Sequence, residues 1–149
     1  MSQSYVCLRY RPVFCTKNRV PTITPEIESQ LWEYLAGTVR GLGGTPIQIG
    51  VIEDHVQLLI TLRQQPSLSD TLRDIKTASS GWVHDTFPGL SDFRWQGQYG
   101  AFTISHSNID AVGAHIANQK EHHNKRDYKE KFRVMLEKHG VAFKEEYLD

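Results

Sequence analysis

Two apolar runs, residues 45–52 and 55–62, are separated only by Glu53 and Asp54. Two strand-length runs with so short a polar break read as a β-hairpin. A hairpin in mid-chain commits the fold to antiparallel pairing, and its flanks decide the rest. Before it, "TITPEIESQLWEYLAGTVRGLGG" supplies Thr24 as N-cap and Pro25 at the first helical position. Ile27, Leu31, Tyr34, Leu35 and Val39 follow at helical spacing, ahead of a glycine-rich stop. After it, "SLSDTLRDIKTASSGWVHDTF" has Ser67 as a cap with Asp70 three residues on, and Leu68, Leu72, Ile75 and Trp82 mark a second helix.

Residues 5–15 alternate with aromatic and β-branched content and read as a strand, which Pro12 assigns to an edge or a bulge. "YGAFTIS", residues 99–105, is a further strand. The order to this point is β-α-β-β-α-β, which predicts an α+β, ferredoxin-like antiparallel sheet with helices on one face. Ser107 with Asp110 opens a third helix through about residue 124, and a fourth runs from about Asp127 to a stop at Gly140. A chain of 149 residues has length for one domain with a real core. Residues 1–149 therefore read as a single domain, its core at about 5–124 and a C-terminal helix and tail at about 127–149.

Charge is balanced, with 17 Lys plus Arg against 17 Asp plus Glu, so net charge argues neither for nor against a nucleic-acid partner. Its distribution is uneven. "KEHHNKRDYKEK", residues 120–131, is basic and carries His122 and His123, whereas the terminal "EEYLD" is acidic. No run is long and apolar enough to span a bilayer or act as a signal peptide, which predicts a cytoplasmic protein. Cys7 and Cys15 fall on one face of one strand, too far apart to bridge, and are expected as free thiols.

Within "EDHVQLLI", residues 53–60, alternation puts His55 and Gln57 on one face and Val56, Leu58 and Ile60 on the other. A polar pair on a half-exposed strand is ordinary in itself. In "AHIANQKEHHNKR", His115 and Gln119 are four apart and share one helix face. Trp95 and Tyr99, in the polar "RWQGQYG" turn, are candidates for stacking on bases, while Trp82 is expected in the core.

The segments "VFCTKNRVPTITPEI", "LWEYLAGTVRGLGG", "DHVQLLITL", "WQGQYGAFTIS" and "NQKEHHNKRDYKEKF" together resemble the HUH-superfamily single-tyrosine transposases, in particular their REP-associated tyrosine transposase-like branch. The resemblance implies a divalent metal, Mg²⁺ or Mn²⁺, held by a strand His-hydrophobic-His motif and a helix Gln. These ligands map to His55, Gln57 and Gln119. A tyrosine four residues before that Gln would attack a DNA phosphodiester. The chain departs from the pattern at Gln57, where a second His is expected, and at His115, where the tyrosine is expected. A glutamine oxygen can serve a hard cation, but imidazole cannot form a phosphotyrosine.

The partner so implied is single-stranded or hairpin DNA, contacted by Lys17, Arg19, Arg94, Trp95, Tyr99, Lys120, His122, His123, Lys125 and Arg126. A homodimer paired through sheet edges is implied as well. Three functions stay open: a transposase impaired in cleavage, a domesticated DNA-binding regulator, and a metal-dependent hydrolase with His115 as general base for water.

Overall fold

The computed structural model describes residues 4–118, 128–145 and 148. Strand β1 (Leu8–Cys15) leads through a 3₁₀ turn to helix α1 (Pro25–Gly41). The hairpin β2 (Thr45–Val51) and β3 (His55–Leu62) follows, then α2 (Leu68–Thr86), β4 (Gly100–Thr103), α3 (Ile109–Ala117) and α4 (Tyr128–Lys138). The four strands form one antiparallel sheet in the order β2-β3-β1-β4, the ferredoxin-like arrangement expected from the sequence.

The helix boundaries follow local chemistry. Thr24 caps α1 in extended geometry with Pro25 behind it, and Ser67 Oγ accepts the Asp70 amide at 3.1 Å to start α2. Gly43, at φ 85°, ends α1 in a conformation that side-chain-bearing residues avoid. α3 starts later than its capping pattern suggests. Residues His106–Asn108 form a 3₁₀ turn in which the Ser105 and Ser107 hydroxyls bond each other, and the α-helix begins at Ile109. Competition between such local side-chain bonds and the helical ladder accounts for the shift.

Pro12 does not mark an edge. β1 lies between β3 and β4, and Pro12 is paired with Ala101 of β4. Across β3 the paired residues step from Tyr10↔Ile60 to Val13↔Gln57. The ladder is thus interrupted on the one side where proline has no N–H to give. The true edges are β2 and the four-residue β4.

Both faces of the sheet are covered. Phe14, Ile49, Val51, Val56, Leu58 and Ile60 meet α1 and α2 in the main core. Val13, Cys15 and Phe102 meet Tyr128, Met135 and Leu136 of α4 in a second cluster. α3 lies on this second face too, where Gly113 comes close to Leu59. Docking of α4 requires Gly100: a Cβ there would overlap the Phe132 ring. Gly100→Ala should therefore destabilise the fold by about 1–3 kcal/mol. The check is the thermal midpoint by circular dichroism, and an unchanged midpoint would show that α4 does not pack as described.

Candidate nucleic-acid site

The second sheet face carries the residues that the sequence singles out. His55 opens β3 directly opposite Cys15 of β1, and both side chains are buried. Its Nδ1 lies 2.7 Å from Asp54 Oδ1. A carboxylate partner there makes Nδ1 the protonated nitrogen and leaves the lone pair on Nε2, directed into the interior. The Tyr128 ring covers His55 with 4.8 Å between ring centroids.

Around Tyr128 the surroundings are tightly closed. The Cys15 amide donates to Gln96 Oε1 at 2.7 Å, and the Cys15 thiol donates to the same oxygen. Burial, more than any neighbouring charge, pushes the Cys15 thiol up to about 11 and raises Tyr128 well above the ordinary phenol range. Neither group is available as an anion near neutral pH.

Gln57, 2 % exposed, sits two residues on from His55 on the same face. Its Oε1 accepts two hydrogen bonds from Arg11, at 3.1 Å from Nε and 2.7 Å from Nη2. This oxygen is the atom that a metal would need. A divalent cation placed on it would stand against a guanidinium and have to break both bonds, so Gln57 as placed does not fit a metal. Among the described residues, no group of three His, Cys, Asp or Glu side chains could hold one. Gln119, expected as the third ligand, lies outside the described residues.

His115 occupies the last turn of α3 and is exposed, whereas His55 is sealed beneath Tyr128. Lys17 is exposed and Arg19 half-buried in the 3₁₀ turn after β1, where Asn18 and Arg19 adopt positive φ. Lys120, His122, His123, Lys125 and Arg126 lie outside the described residues. Trp95 corrects the sequence-based expectation. It is not a stacking platform but a core residue, edge-on to Phe14 and Phe93 at 4.8 and 4.9 Å, with its indole N–H donated to Ser79 at 2.9 Å. The polar residues around Trp95 belong to the turn's surface, while its own ring turns inward to complete the apolar cluster.

Arg94 and Tyr99 of the same loop are exposed, and they line a cleft of about 360 Å³ with Arg73, Thr77, Ser80 and His84 of α2. The sequence holds a signal for this cleft that the core-directed reading passes over. Residues 69, 73, 76, 77, 80 and 84 form a polar stripe at helical spacing, opposite Leu72 and Ile75. Lys76 fixes the loop to the helix by donating to the carbonyls of Gln96 at 2.6 Å and Gln98 at 3.2 Å. The result is a rim with cations, hydroxyls and one open aromatic ring.

The sheet order and the helices that flank it define a ferredoxin-like α+β protein. The chain belongs to the IS200-like transposases, whose family model matches residues 4–119. It is 25% identical over 119 residues to the ISDra2 transposase TnpA of Deinococcus radiodurans, covering 76% of this chain and 85% of that one. A crystal structure from Deinococcus radiodurans R1, assigned as a transposase, superposes with a TM-score of 0.66 at 25% identity, covering 80% of this chain and 96% of that one. The REP-associated tyrosine transposase bound to a REP hairpin shares the fold, with a TM-score of 0.61 at 17% identity over 83% of this chain and 73% of that one.

The closed face has a chemical signature. At about pH 8 the exposed Cys7 should react promptly with a thiol reagent and Cys15 only after unfolding. Because burial favours the neutral Cys15 thiol in the folded state, its contribution to stability is complete below the ordinary thiol range and is lost as pH rises through about 11. Equal labelling rates for both thiols would contradict the sealing of this face.

Proposed function

We propose that this chain is a DNA-binding member of the IS200-like family that engages single-stranded or hairpin DNA without covalent tyrosine chemistry. The observation that carries the reading is His115. By the family resemblance it stands where the nucleophilic tyrosine is expected; it lies on the exposed side of α3 and offers no hydroxyl to attack a phosphodiester. The Arg11 bonds to Gln57 and the cover of Tyr128 over His55 support the same conclusion, because they occupy the face where a metal would polarise the phosphate.

DNA as the partner is supported by the family and by the hairpin bound to a relative of the same fold. The cleft between α2 and the 93–99 loop offers a fitting surface, with Arg73 and Arg94 for phosphates and Tyr99 for a base. Arg73 is also held by Asp70 and Asp74 at 3.2 and 3.3 Å, so Arg94 carries the larger share of the free charge at this rim. A homodimer belongs to the reading as well, with the exposed α3 surface of one copy turned towards another, and light scattering of the purified chain tests it.

Labelled hairpin DNA with a single-stranded flank, incubated with Mg²⁺ or Mn²⁺ and run on a denaturing gel, should show neither an adduct nor cut strands. An adduct would refute the loss of covalent chemistry, and free cut ends without an adduct would favour hydrolysis by water. In anisotropy titrations, Tyr99→Ala should weaken binding by about 1–3 kcal/mol, the worth of one stacked base. Arg94→Ala should lower the slope of log K against log salt by about one. Unchanged affinity and slope in both would move the DNA surface elsewhere.

A further inference from the structure

Arg11 extends from the inner strand β1 onto the second sheet face, and two of its N–H groups are spent on Gln57 Oε1. Three N–H donors of the guanidinium remain. The side chain is half-buried, and burial alone moves its pKa, downward. Among the described residues no carboxylate pairs with Arg11. A half-buried cation held in place by a neutral amide, with spare donors and no carboxylate among the described residues paired with it, is costly until an anion arrives.

We infer that Arg11 has taken the place of the metal as the positive charge of this face, and that its spare N–H groups bind a DNA phosphate with no divalent cation present. The inference rests on the DNA-binding reading above and adds to it a second contact, independent of the cleft on α2. A planar guanidinium suits this task because it can hold Gln57 along one edge and a phosphate along another. Gln57 then serves as a positioning residue. Its carbonyl aims the guanidinium, where a histidine would compete with that cation when protonated.

Two measurements on the full chain test the inference separately. In the first, Mn²⁺ is titrated and free Mn²⁺ is followed by electron paramagnetic resonance. The unaltered chain should bind no stoichiometric Mn²⁺, and Arg11→Leu combined with Gln57→His should gain about one site. Stoichiometric Mn²⁺ on the unaltered chain, lost in His55→Ala, would overturn the replacement of metal by Arg11.

In the second, a fluorescent hairpin with a single-stranded flank is titrated by anisotropy. Its affinity should agree within about twofold between EDTA and Mg²⁺ at matched ionic strength. Arg11→Leu should lose about tenfold and one unit of salt slope, and Arg11→Lys should recover part of both. Thermal melts add a readout that separates binding from scaffolding: Arg11→Leu strips the buried Gln57 Oε1 of both donors and should lower the midpoint by itself, whereas Arg11→Leu combined with Gln57→Leu should recover the midpoint without recovering hairpin affinity or salt slope. A lower midpoint with unchanged affinity and slope would make Arg11 structural and overturn the phosphate contact. Stabilisation by inorganic phosphate that depends on Arg11, with hairpin affinity indifferent to Arg11, would assign a free anion and overturn the DNA contact. A chain that binds no hairpin under any of these conditions would reject the DNA reading itself, and the Mn²⁺ titration would still decide the first half.

Discussion

β3 is buried on both of its faces, and this double burial governs the rest of the molecule. One side of the strand, Val56, Leu58 and Ile60, is apolar and packs against α1 and α2 as any antiparallel sheet would. The other side presents His55 and Gln57, both buried. A polar group placed there is held by protein partners where it has them, since an unpaired buried donor or acceptor costs about 1–3 kcal/mol. Asp54 answers His55 and Arg11 answers Gln57, while Tyr128 closes the space above. The chemistry left to this face is therefore set by how its polar side chains were satisfied.

The fold was legible where local chemistry and periodicity agree. The Glu53–Asp54 break, the Thr24–Pro25 and Ser67 starts and the apolar spacing of α1 and α2 each depend on residues close in sequence, and together they define the β-α-β-β-α-β order. Pro12 was misplaced because its local rule concerns a missing donor, whereas strand order depends on pairings across the whole chain. An inner strand accommodates the proline by leaving a gap in a single ladder. Trp95 was misplaced for a related reason: the polar character of its neighbours describes the loop's surface and not the direction of one ring.

The candidate site was legible as residue types and illegible as contacts. His55 and Gln57 do share a face, as alternation requires. That Gln57 is engaged by Arg11, 46 positions away in the chain, follows only from the registration of β1 against β3. The cover of Tyr128 over His55 likewise needs α4 to fold back across the sheet, which no local pattern announces. Long-range closure, more than motif, decides which partners the polar side chains of this face have.

The Trp32 indole donates to the Ile49 carbonyl at 2.8 Å. Ile49 faces Leu58 at a position where, by the alternation of antiparallel bonding from the Ile52–His55 turn, its backbone groups point away from β3. The indole thus caps an acceptor that an incoming strand would use, and Pro46 on the same strand has no donor to offer. The sheet consequently terminates at β2 for chemical reasons, and its exposed rim is a poor template for templated growth into fibrous aggregates. At the β2 end this leaves the helices and loops as the surfaces on which association can be built, while β4 remains the other edge of the sheet.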